Sequence, residues 1–219
     1  MKIRLRLERF FAYGTFKVPG LRLVYIANNF FKRRMSFHRD MEFLYLSKKN
    51  IIIVLNPKVG TRSLMELALT NDDIVMVKNL RKIESYSCDV YLFIRDPLHR
   101  FVSFWNDKLA GQHPNYLSLL SMKYSWFRSD MEVQDFVNNI QKISPSQFEK
   151  HFCRQSDIVE FLHGIGRPPI TNPVSAMPAV LGMDLSSENS SSGNLNGISP
   201  SDSKSWATDV RQIYAKDYE

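Results

Sequence analysis

Residues 54–64 read VLNPKVGTRSL, and Lys58, Gly60, Thr61 and Ser63 are residue types that hold a phosphate. An apolar strand enters this loop and a helical pattern leaves it. Backbone N–H groups at 59–63 can therefore converge on one anion at a helix N-terminus. Gly60 lets the backbone approach closely, Thr61 and Ser63 offer hydroxyls, and Lys58 supplies a point charge. The order differs from a mononucleotide P-loop, which requires G-x-x-x-x-G-K-[ST]. Here Lys58 precedes the glycine and the first glycine is missing, so the loop suits a phosphate that is bound but not transferred. A second basic group, Arg95, follows the apolar run 90–94, and Ser103 lies eight residues on. Open α/β sheets bind ligands at the carboxyl ends of their strands. Two phosphate sites there imply a nucleotide phosphorylated at both ends of its ribose.

The elements that must position these groups follow from periodicity and turn chemistry. FLYLSKKNIIIVL reads as two apolar runs around a polar turn, a hairpin leading into the first core strand. Ile51–Leu55 is apolar on both faces, as in a buried parallel strand. A short helix is expected over Thr61–Leu69, and strands over 74–77 and 90–94. This alternation predicts an α/β fold, a three-layer parallel sheet with helices on both faces. Asp96 as N-cap, Pro97 at the first position and Gly111 at the end delimit a helix. Its apolar face is Leu98, Phe101, Val102, Trp105 and Leu109, while Arg100, Ser103 and Asp107 share another face. Ser129 and Glu132 offer a capping box for a helix near 130–141. Residues 157–162 fit either strand or helix. From 168 to 205 the composition turns to Pro, Ser, Asn and Gly, which predicts a long flexible loop. A helix near 206–218 closes the chain, with Val210, Ile213 and Tyr214 facing inward.

A length of 219 residues with 44% hydrophobic content suits one domain over 41–219. The net charge of +7 is unevenly placed. Residues 1–40 hold ten Lys/Arg against Glu8 and Asp40, a net +8, and the remainder carries nineteen against twenty, a net −1. That arm either wraps the domain as a solvated segment or meets an anionic glycan, a membrane surface or nucleic acid. A nucleic-acid module would interleave aromatics on a basic face, whereas here the excess charge is confined to the arm. No segment approaches the roughly 20 apolar residues of a membrane span. Cys88 and Cys153 match no zinc or redox spacing, and a single disulfide between them stays open.

The two phosphate motifs together resemble the sulfotransferases that use 3′-phosphoadenosine 5′-phosphosulfate. In that family a P-K-x-G-[TS]-[TRS]-S loop holds the 5′-phosphosulfate, and Pro57, Lys58, Val59, Gly60, Thr61, Arg62 and Ser63 match it. The family's R-D-P-x-x-R-x-x-S element binds the 3′-phosphate, and Arg95, Asp96, Pro97, Arg100 and Ser103 match it. RDPLHRFVSFWNDKL is similar to a segment of the Golgi-type and bacterial carbohydrate sulfotransferases. HFCRQSDIVEFL is similar to their H-x-x-x-Q element, and the ending IYAKDYE to their [LI]-Y-x-x-D-[FY]-E. The resemblance runs from about residue 43 to the C-terminus and implies a P-loop-like nucleotide-binding fold.

It also implies transfer of a sulfuryl group to a hydroxyl or amine, with a carbohydrate as acceptor, no metal and no nucleic-acid partner. A soluble, cytoplasmic bacterial-type enzyme is expected, or a Golgi one if an anchor is missing from this chain. Lys58 is expected at the bridging oxygen and 5′-phosphate, neutralising the leaving group. A hydroxyl acceptor needs a general base. Many relatives place a His or Glu between the motifs, yet no histidine occurs between 39 and 98. His151 and Glu84 are the first candidates, with Glu66, His99 and His113 behind them. Arg100 either binds the 3′-phosphate or pairs with Asp107, and Ser201 and Lys204 lie on a loop that could close over the donor. Three other readings stand beside this one. They are a kinase or NTPase, which lacks its G-K-[ST] order and its acidic magnesium partner, a glycan-binding module led by the arm, and a sulfotransferase homologue that binds donor without a competent base.

Overall fold

Every residue of Ile51–Val54 is buried, because this strand is covered on both sides. It is β2, and it pairs antiparallel with β1 (Phe43–Leu46) across the polar turn 47–50, where Asn50 adopts φ 49°. The computed structural model describes residues 41–78, 83, 86–111, 113–182, 198 and 205–218. The basic arm 1–40, Glu84, Ser201 and Lys204 lie outside the described residues.

With β3 (Ile74–Val77), β4 (Asp89–Ile94) and β5 (Ile170–Pro173) these strands form one sheet in the order β3-β1-β2-β4-β5. Strands β2, β4 and β5 run parallel, but β1 is antiparallel to both its neighbours, β2 and β3. The sheet is therefore mixed, which corrects the expectation of a parallel one. The cause is local: a four-residue turn can only return the chain antiparallel. That hairpin places β1 between β2 and β3, the two strands joined through helix α1 (Thr61–Thr70).

After β4 come α2 (Pro97–Phe104), continued by the π-helical stretch Trp105–Ala110, then α3 (Pro114–Lys123) and α4 (Val133–Ile140). Helices α5 (Gln155–Gly164), α6 (Met177–Leu181) and α7 (Ser205–Ile213) follow. Alternate strand residues serve different cores. Phe43, Ile52, Val54, Val90 and Leu92 join one cluster with residues of α2, α3, α4, α5 and α7. Leu44, Leu46, Ile51, Ile53 and Phe93 join another with Leu64 and Ala68 of α1 and Met177 and Leu181 of α6. At the centre of the larger cluster the Phe136 ring lies 5.6–6.3 Å from Phe101, Phe104, Trp105, Trp126, Phe127 and Phe152. Phe104 and Trp105 are therefore core residues.

Other differences from expectation have identifiable causes. The capping box does not form; Glu132 itself is the N-cap of α4 and makes no side-chain cap bond. The ambiguous stretch 157–162 is helical because α5 is capped from a distance. The Asp217 carboxylate accepts Gln155 N–H at 2.9 Å and Ser156 N–H at 2.8 Å. Helix α3, started by Pro114, has no counterpart in the expected elements. Residues 170–181 are β5, a 3₁₀ turn and α6 rather than loop, since Met177 and Leu181 are buried in the second core. Cys88 and Cys153 are free thiols. Among the described residues no helix is long and apolar enough to cross a membrane.

Candidate active site

Strands β2 and β4 end side by side, and the chain leaves them in opposite directions. From β2 it crosses through α1 towards β3 at one edge, and from β4 it runs through α2 to α5 towards β5 at the other. Such a switch point opens a crevice outside the carboxyl ends of the strands. Both phosphate motifs begin there.

Two buried amides lock the strand ends together. Asn56 Nδ2 donates to Phe93 O at 3.1 Å and to Gln155 Oε1 at 3.1 Å. Gln155 Oε1 also accepts Arg95 N–H at 2.9 Å, and its Nε2 donates to Arg95 O at 2.7 Å. One side chain from α5 thus clamps the backbone of Arg95 on both sides and fixes it against the phosphate loop. The sequence signalled Gln155 only as the last letter of H-x-x-x-Q, and Asn56 only as a polar residue ending a buried strand.

The loop turns its carbonyls towards protein donors. Asn56 O accepts Val59 N–H at 3.2 Å and the Thr61 hydroxyl at 2.6 Å. Pro57 O accepts Arg100 Nε at 3.1 Å, and Lys58 O accepts Arg95 Nη1 at 3.4 Å. These lone pairs are withdrawn from any incoming anion. Val59 N–H and the Thr61 hydroxyl, two of the donors expected on the ligand, here close the loop on its own carbonyl. Arg62 and Ser63 stand in the first turn of α1, where the helix dipole favours negative charge.

Two residues of the loop occupy the left-handed region, Lys58 and Gly60, each at φ 68°. A Cβ on Gly60 would lie 3.0 Å from Met177 Cε and 3.2 Å from its Sδ. Gly60→Ala is expected to destabilise the protein by about 1–3 kcal/mol, from the left-handed φ and the displaced methionine. A shifted urea midpoint at unchanged m-value would show it.

Lys58 forms an ion pair with Asp107, which the π-helical stretch presents to the loop. The same carboxylate lies 3.2 Å from Lys108 Nζ and 3.9 Å from Arg62 Nη2. Burial pushes the Lys58 ammonium down to about 8, outweighing the pull of Asp107. Burial would raise the Asp107 carboxyl, but Lys58 and Lys108 together hold it at about 2. Lys58 thus sits close enough to neutrality for its charge to respond to its surroundings.

Arg100 is 2% exposed. Besides Pro57 O it donates to Cys153 O at 2.6 Å and Lys150 O at 3.3 Å. Its guanidinium ties the phosphate loop to the turn before α5. Asp107 is committed to Lys58 and Lys108 rather than to Arg100. Ser103 is half-buried on the same helix, and Asp96 caps that helix by accepting His99 N–H at 2.9 Å.

His151 is joined to a buried carboxylate. Its Nδ1 lies 2.8 Å from Glu149 Oε2, which also accepts the Tyr116 hydroxyl at 2.6 Å and His151 N–H at 2.8 Å. Burial opposes the charge on Glu149, but these partners outweigh it and keep the carboxyl far below the usual range. Against an ionised Glu149, Nδ1 must carry the proton, which leaves the Nε2 lone pair to accept one. Burial lowers the imidazole itself, so the neutral form prevails. His151 packs edge-on against Tyr116 at 5.0 Å, and Lys108 Nζ lies 5.9 Å from the centre of that same ring. A chain of contacts therefore runs from Lys58 through Asp107, Lys108 and Tyr116 to His151. His113 feels the charges of Lys108, Asp107 and Lys58. Glu149, whose signal was a carboxylate two residues before a candidate histidine, escaped sequence reasoning. Glu84 lies outside the described residues.

Fold and site together define an α/β protein with a crevice lined by basic side chains between two parallel strands. The sequence model of the sulfotransferase family matches residues 41–163, more than half of the chain. The chain belongs to that family, a class of transferases. No curated protein and no solved structure matches it.

Proposed function

We propose that the protein transfers a sulfuryl group from 3′-phosphoadenosine 5′-phosphosulfate to a hydroxyl or amine of an acceptor, which we take to be a carbohydrate. The observation that carries this reading is the joining of the two motifs at one crevice, with Arg95 Nη1 on the carbonyl of Lys58. The fold would then act as a P-loop-like nucleotide site. Lys58 and the first turn of α1, with Arg62 and Ser63, receive the 5′-phosphosulfate, and Arg95 with Ser103 receives the 3′-phosphate. In the transfer the bond from sulfur to the bridging oxygen breaks as sulfur bonds to the acceptor oxygen or nitrogen. Lys58 neutralises charge on the departing phosphate oxygen, and His151 Nε2 takes the acceptor proton. The Glu149–His151 arrangement favours a competent enzyme over a homologue that only binds donor. Arg100, matched to the 3′-phosphate motif, buttresses the loop from behind. The acceptor assignment to carbohydrate rests on resemblance.

Calorimetry with adenosine 3′,5′-diphosphate, against ADP and ATP with magnesium, tests the donor. Selective binding of the 3′,5′-diphosphate, lost on Arg95→Ala, is expected. Equal binding of ADP would overturn the two-phosphate reading.

A further inference from the structure

Asp107 is an unusual neighbour for a site built to hold anions. Three cations from three places in the fold converge on its carboxylate: Lys58 from the loop, Lys108 beside it, and Arg62 from the start of α1. Lys58 and Lys108 are nearly buried, with side chains 11% and 9% exposed, whereas Asp107 is 27% exposed. A surface ion pair of median strength needs no such convergence. Lys58 moreover holds a left-handed φ at a residue that is not glycine, a conformation retained only where the surroundings over-determine it.

We propose that Asp107 is an internal counter-ion that competes with the donor's phosphate for Lys58, Lys108 and Arg62. This rests on the reading of Lys58 as a donor ligand. Tethered in place, the carboxylate opposes every anion that enters, and so sets an upper limit on nucleotide affinity. The same competition speeds release of the 3′,5′-diphosphate product after transfer. Asp107 is thus a positioning residue: it acts through Lys58 and does not touch the reacting atoms.

Its second effect is on charge. The groups facing Lys58 are Asp107, Lys108 and Arg62, and both cations push the ammonium towards neutrality while Asp107 resists them. His113 lies within reach of the same three charges, Lys108, Asp107 and Lys58. Removing the carboxylate lets Lys58 lose its proton at lower pH, and a bound phosphate restores that proton. The expected signs follow. At pH 6.5 Lys58 carries its proton in wild type, and in the complex the phosphate holds that proton in either protein, so Asp107→Asn binds the nucleotide more tightly, by about tenfold for loss of one half-buried competitor. In wild type the affinity starts to fall above about pH 8. In Asp107→Asn the fall begins at lower pH, so the advantage shrinks as pH rises.

The test is calorimetry of adenosine 3′,5′-diphosphate and of pyrophosphate on wild type and Asp107→Asn at pH 6.5 and pH 9. Alongside it, NMR titration of the Lys58 side chain is followed in both proteins. Tighter binding by the variant, an advantage smaller at pH 9, and a lower Lys58 titration midpoint support the proposal. Equal or weaker binding at pH 6.5, or an unmoved midpoint, overturns it. Failure of wild type to bind the nucleotide while pyrophosphate still binds would sink the donor assignment alone, because pyrophosphate and the Lys58 titration continue to decide the role of Asp107. Should Asp107→Asn not fold, Asp107→Ser takes its place in the same titrations, and the same outcomes support or overturn the proposal.

Discussion

Lys58→Ala is expected to slow sulfuryl transfer by about 10³-fold, the scale for losing one preorganised group that stabilises developing negative charge. Nucleotide affinity should fall far less, by roughly tenfold, because α1 and Arg95 keep their own contributions. The melting temperature should scarcely move. Asp107 keeps Lys108 at 3.2 Å, and the lost ammonium was itself disfavoured by burial. Lys58→Arg is not expected to rescue the rate, since a planar guanidinium cannot reproduce a compact point charge on this loop. Transfer from radiolabelled donor to a panel of desulfated glycans gives the rate, and calorimetry with adenosine 3′,5′-diphosphate gives the affinity. Equal losses in rate and affinity would make Lys58 a binding group alone.

Arg100→Ala should behave in the opposite way. Its side chain satisfies three backbone carbonyls, Pro57 O, Cys153 O and Lys150 O, at 2% exposure. Truncation leaves them without that donor in a buried cavity. The expected loss is about 3–5 kcal/mol, the range for breaking a buried polar network. For a chain of this size that lowers the melting temperature by roughly 10 °C. Arg100→Lys should recover only part, because one ammonium cannot reach carbonyls on two separate segments. A variant with unchanged melting temperature and lost nucleotide affinity would return Arg100 to the role of a phosphate ligand, as its motif implies. The comparison with Arg95→Ala is informative, since Arg95 is half-exposed at the crevice and should lose affinity with little loss of stability.

The mixed sheet shows where local sequence stops informing. Strand and helix positions are legible from apolar periodicity because each element must bury one face or both, and this held for β1 to β4 and for α1, α2, α4 and α7. The hairpin is legible from SKKN. That β1 would lie between β2 and β3 is not, because pairing partners are chosen by long-range fit. The stretch after 168 reads as loop by composition, yet a few apolar residues, Met177 and Leu181 among them, bury enough to order it. Helix α5 needed Asp217, contributed from the far end of the chain.

By itself, then, the sequence determined the α/β class, the helix starting at Asp96 and Pro97, and a basic loop between strand and helix. Each of these depends on neighbours a few residues apart. Tertiary structure decided which partners the candidate site residues meet. It bonded Arg100 to three backbone carbonyls rather than to Asp107, gave Lys58 its carboxylate, set Glu149 behind His151 and clamped Arg95 with Gln155. Lys58 and Asp107 are 49 residues apart, and Asn56 and Gln155 are 99 apart. Charge and hydrogen-bonding capacity are carried by residue type, but their direction is set only when distant elements pack against one another.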